Sequence, residues 1–212
     1  NMSYSRLPFF LRGDQEVVNR WMASIGLPPD APRYQISERM GWKDDYIDSL
    51  FAKAGLSPRD KEVTKYKQMS DTMDSHRLGQ YAATVSPEKS EQLWTAFSRR
   101  YFMGKDTELR PIRLDNRQML LECAGEVGLD LDEAGQVLDS DIYRQDILDA
   151  VAQFKAAGVA SIPVIVFEVD GVARGSWLSS PRGQGREIYN GSGSRRDFAA
   201  VLRRLNAACA GA

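Results

Sequence analysis

At 212 residues the chain is long enough for one sizeable domain, or a small one carrying an insertion. Hydrophobic residues make up 42% and charged residues 27%, a globular balance that excludes a disordered chain. A formal net charge of −1 excludes a general nucleic-acid binder with its basic face, and no apolar run approaches the roughly 20 residues of a membrane span.

The first segment, Tyr4 to Leu11, reads as extended, with Gly13-Asp14 as the turn after it. Pro8 has no N–H to donate, so this segment belongs at a sheet edge or a bulge. From Gln15 to about Ala157 the pattern is mostly helical. Pro28 to Pro32 is a loop, Ser57-Pro58 starts a helix, and Val63 to Met69 shows no clear period. Ser90 to Phe102 places Leu93, Trp94, Phe97, Tyr101 and Phe102 at helical spacing, and the Trp94, Phe97 and Tyr101 stripe is most simply core. Met119, Leu120, Cys123 and Val127 line one face of the next helix. Asp130 with Glu133 is a capping-box start for a helix through Leu138, and Ile142 to Ala157 is amphipathic through Leu148, Val151 and Phe154.

The texture changes at Gly158. Pro163 to Val169 is a β-branched run ending at Asp170-Gly171, a hairpin-type signal. A Gly/Ser/Pro-rich loop covers Gly175 to Gly185, and Arg186 to Tyr189 can form a short partner strand. Ser194 with Asp197 is a second capping box, opening a last helix whose Phe198, Val201, Leu202 and Leu205 face the core. No internal repeat appears. The plan is strand, long helical block, two strands, helix.

Chemistry-bearing residues are few. His76 is the sole histidine and reads more simply as a locally hydrogen-bonded residue at a helix start than as a proton-transfer group. One histidine and two scattered cysteines cannot make a zinc site, so no metal is expected. Cys123 reads as an inert buried thiol and Cys209 as an exposed one near the C-terminus; neither belongs to a CxxC, and a disulfide between them is left open. Asn190, Gly191, Ser192 and Ser194, with Asp197, precede a helix whose N-terminal amides can hold an anion, and Arg186, Arg195 and Arg196 flank them. Capping of that helix by Ser194 and Asp197 is the simpler role.

Several strings carry a resemblance. Asp74-Ser75-His76-Arg77-Leu78, Phe97-Ser98-Arg99-Arg100-Tyr101-Phe102 followed by Gly104-Lys105-Asp106, Ala124-Gly125-Glu126-Val127-Gly128-Leu129-Asp130, Gly158-Val159-Ala160-Ser161-Ile162-Pro163 and Asn190-Gly191-Ser192-Gly193 occur in order along the chain. Together they resemble the DsbA-like thioredoxin superfamily, in particular the branch containing FrnE and the 2-hydroxychromene-2-carboxylate isomerases. The resemblance implies an α/β fold in which 1–14 and 158–212 form the thioredoxin-like part and 15–157 a helical insertion. It implies that Arg6 to Leu11 is the family's second strand, so the opening strand and the nucleophile helix, with its CxxC or serine, lie outside this sequence. It further implies a substrate groove at Ile162 and Pro163 with a cis bond between them, and in kappa-class relatives a glutathione-binding role for the Asn190 region. The extra loop between Asp170 and Arg186 departs from the pattern.

A thioredoxin-like sheet without its central strand leaves buried N–H and C=O groups unpaired, at about 1–3 kcal/mol each. Leu7 to Leu11 is therefore expected in one sheet with Val164 to Val169, directly or through a strand supplied from elsewhere. Three functions follow: a non-catalytic scaffold or accessory subunit with a protein partner or a larger complex; a thiol–disulfide oxidoreductase with an upstream CxxC; and a glutathione-dependent isomerase or transferase. Only the third uses a small thiol; the first two imply no cofactor. A soluble protein is expected, organellar if a targeting peptide has been removed.

Overall fold

Polar side chains at the breaks in apolar periodicity set several of the helix starts. The computed structural model describes residues 15–41, 60–159, 163–169, 185–191 and 194–210, together with residues 48, 49, 52, 53, 55 and 173. Its helices are α1 (Gln15–Ser24), α2 (Arg33–Met40), α3 (Lys61–Thr64), α4 (Met73–Val85), α5 (Pro87–Tyr101), α6 (Arg117–Glu126), α7 (Leu131–Leu138), α8 (Arg144–Ala156) and α9 (Arg195–Ala210), with strands β1 (Val164–Glu168) and β2 (Arg186–Asn190) between the last two. Ser86 is extended, ends α4 and caps α5 by accepting from the Lys89 amide, with Pro87 in the first turn where its missing N–H is harmless. Asn116 caps α6 through the Met119 amide. Asp130 caps α7 by accepting from both Asp132 and Glu133, but Glu133 does not complete the box: its carboxylate takes the Tyr81 hydroxyl at 2.7 Å.

The chain divides into two compact units, to Ile147 and from Leu148, and the division falls within α8. In the first, α4 to α7 enclose a core of Leu78, Leu93, Phe97, Met119, Leu120 and Cys123, each at most 1% exposed. Where α4 crosses α5, Gly79 lies under the Trp94 indole, and the Ser90 hydroxyl donates to the Gly79 carbonyl at 3.2 Å. A smaller core of Val18, Met22, Ala31 and Ile36 joins α1 to α2.

Val63 to Met69 has no helical period because after α3 it becomes ladder. Pro32 bridges Gln68 antiparallel and Lys67 bridges Ile112 in parallel. The Gln68 amide donates to Ile112 O at 3.0 Å and the Ile112 amide to Tyr66 O at 3.1 Å. Lys67 is 6% exposed, and its ammonium sits 5.2 Å from the Tyr101 ring centre.

In the second unit β1 and β2 pair antiparallel, Val164 opposite Asn190 through Glu168 opposite Arg186, with the Val169 amide continuing the ladder to Gly185 O at 2.9 Å. Asp170-Gly171, expected as the turn, lies outside the described residues. Phe198 of α9 rests on Phe167 and Tyr189, ring centres 5.9 and 5.3 Å away, which makes those side chains the covered face.

Two expected core positions, Leu148 and Leu202, are instead 39 and 40% exposed, and Phe102 and Ile142, at expected helix ends, are 49 and 46% exposed. Each is one step off a buried stripe or outside a helix: successive helical residues are rotated by about 100°. Ile147, Val151 and Phe154 carry the buried side of α8, which begins at Arg144 rather than Ile142, and Val201 and Leu205 that of α9. Phe102 is the residue after α5. The expected strand at Leu7 to Leu11, and hence its pairing with β1, lies outside the described residues.

Candidate functional site

Two groups of residues singled out from sequence converge at one end of the strand pair. Pro163 immediately precedes β1 and is exposed, and its carbonyl accepts from the Gly191 amide at 2.8 Å. Asn190 is the partner of Val164 in the ladder, so Pro163, Asn190 and Gly191 occupy one end of the hairpin, the end from which the chain runs on to α9. Gly191 has φ +92°, a conformation that favours glycine and lets the chain leave the strand sharply. Ile162 and Ser192 lie outside the described residues, and with Ile162 the geometry of its bond to Pro163.

The first turn of α9 already holds an anion of its own. The Asp197 carboxylate accepts from the Ser194 amide at 2.8 Å and from its hydroxyl at 2.7 Å, while Ser194 Oγ accepts from the Asp197 amide at 3.3 Å. These bonds to Ser194 hold the Asp197 carboxyl below its usual range. Arg195 and Arg196 are exposed beside it, but Arg186 is not. It is 4% exposed and bonds Glu168 directly across the ladder at 2.5 Å, so its charge is spent within the sheet.

Cys123 and His76 of the helical unit are packing groups. Cys123 is a free thiol at 0% exposure, and burial pushes it up to about 12 despite the opposing pull of the Arg100 guanidinium. Burial likewise lowers His76 to about 4, keeping its ring neutral at pH 7, 5.1 Å from the Trp94 ring. Among the described residues no group of three His, Cys, Asp or Glu side chains is placed to hold a metal ion.

Arg77 has a structural task that sequence reasoning did not assign. Its side chain is 3% exposed and pairs with Asp74 at 2.8 Å. It donates to the Ile142 carbonyl at 2.9 Å and to the carbonyls of Val137 and Ser140. Val137 belongs to the last turn of α7, and Ser140 and Ile142 to the segment that follows it, so one guanidinium fork ties the end of that helix and its exit to α4, and its charge complements the helix dipole. Arg100 is also buried, paired with Glu126 at 2.7 Å, and among the described residues no acceptor meets its Nε.

A polar cleft is also new. It is lined by Asp60 and Val63, the loop from Gly104 to Arg110, and Gln118 and Glu122 of α6. Nothing in the local sequence signals it, because its walls come from three separate stretches. Its carboxylates are already engaged in part: Asp60 caps α3 through the Val63 amide, and Asp106 pairs with Arg99 at 2.7 Å.

No protein family matches the sequence, and no curated protein matches it. Among solved structures the chain is similar to the crystal structure of a probable DsbA oxidoreductase from Streptomyces coelicolor, at 23% identity and a TM-score of 0.49, over 70% of this chain and 56% of that one. The match thus spans little more than half the length of that structure's chain. Among the described residues no helix is long and apolar enough to cross a membrane.

Proposed function

We propose that this chain is part of a DsbA-like thioredoxin-fold protein, residues 15–157 being the helical insertion, and that it serves as a non-catalytic scaffold or accessory subunit for a protein partner. The observation that carries this reading is the state of Cys123, the one thiol whose surroundings are described. It is fully buried with its pKa pushed up to about 12, so it is neither nucleophile nor resolving thiol. The sequence motifs and the order of helical block, strand pair and final helix support the family assignment.

The test is dithiol chemistry on the full-length protein as the cell makes it: reduction of insulin by dithiothreitol and reoxidation of reduced ribonuclease. The expected result is the uncatalysed rate in both. Catalysed turnover would overturn the reading in favour of a thiol–disulfide oxidoreductase with an upstream CxxC. One observation favours that alternative: Pro163 is exposed at the start of β1, where the resemblance puts the substrate groove. A glutathione-dependent enzyme would instead show thermal protection that scales with glutathione concentration.

A further inference from the structure

We draw no further inference here: the strongest candidate, the exposed aromatic patch of Tyr34, Tyr66 and Phe102 around the Tyr66 to Gln68 ladder with Lys65, Lys67 and Arg110 against its rings, carries no choice of occupant, because Glu62 is bonded to Lys65, Asp60 and Glu108 line the same cleft as Arg110, and nothing in the structure shows what covers it.

Discussion

The helical core and the strand pair are built from similarly apolar sequence and bury it to different extents. Between α4 and α7 the stripe residues Leu78, Leu93, Phe97, Met119 and Leu120 are closed off from water. In β1 the run Val164, Ile165, Val166 and Phe167 is half-buried at every position. A helix satisfies its backbone internally and needs a neighbour along one stripe only, which α4 to α7 give one another. A strand needs partners at both edges and cover on both faces, and a two-stranded sheet is marginal on its own. Among the described residues, stability should therefore be concentrated in the helical unit, and substitutions there should have the larger effects.

The sharpest way to break that comparison is Arg77. Replacing it with Ala removes the donor to the Ser140 and Ile142 carbonyls and leaves Val137 O only the Ser140 hydroxyl at 3.4 Å, while Asp74, 38% exposed, is taken up by water. With the carbonyls as the main loss, urea unfolding should show a drop of about 2–4 kcal/mol. Arg77→Lys keeps the charge but cannot reproduce the fork, and should recover less than half of the loss. A loss below about 1 kcal/mol for the alanine variant, the ordinary range for a mild surface change, would mean that α7 ends without help from α4.

Legibility followed the same division. Apolar residues three and four apart revealed α5, α6 and the last two helices, and Asp130 and Ser194 marked starts that hold in the structure. Such signals are local. The Arg77 bracket was hidden because its acceptors lie 60 to 65 residues away, and the ladder at Lys67 because its partner Ile112 belongs to another stretch with no strand pattern of its own. Stripe edges were misread for a geometric reason: a leucine next to a buried position, as at Leu148 or Leu202, looks like core until the helix phase is known. At the candidate site, the meeting of Pro163 with Gly191 depended on the β1–β2 register, and register follows from pairing rather than from composition.

A smaller effect should appear with pH. His76 falls from 6.5 to about 4 on folding, so between those values the unfolded chain binds more protons than the folded one. The stability contributed by the neutral ring is complete above pH 6.5 and is lost as pH falls towards 4. The ceiling is about 3 kcal/mol, and partial exposure of the ring brings the expected loss to about 2. His76→Gln should flatten this part of the stability–pH profile; an unchanged slope would assign the acid sensitivity to other groups. Phe198→Ala probes the weaker unit and should lose about 1.5 kcal/mol of local stability. Hydrogen exchange should accelerate in β1 and β2 while α4 to α7 keep their protection, and a uniform acceleration would show that the two regions unfold together.

Gly79 gives the finest test, because two effects of similar size oppose each other there. Alanine in mid-helix should gain up to about 1 kcal/mol of helix propensity. The added Cβ, however, would sit 3.0 Å from Trp94 Nε1 and 3.2 Å from Cε2 and Cζ2. Those atoms belong to a rigid ring braced edge-on against Phe97, whose centre is 5.6 Å away, so they cannot yield as a flexible side chain would. Overpacking of this kind typically costs about 1–3 kcal/mol, so Gly79→Ala should be destabilising by about 1 overall. In a Trp94→Ala background the indole is gone and the sign should reverse, propensity alone remaining. If Gly79→Ala stabilises the protein with Trp94 in place, the α4–α5 crossing is looser than described, and the closed packing that sets the helical unit apart from the strand pair does not hold at this point.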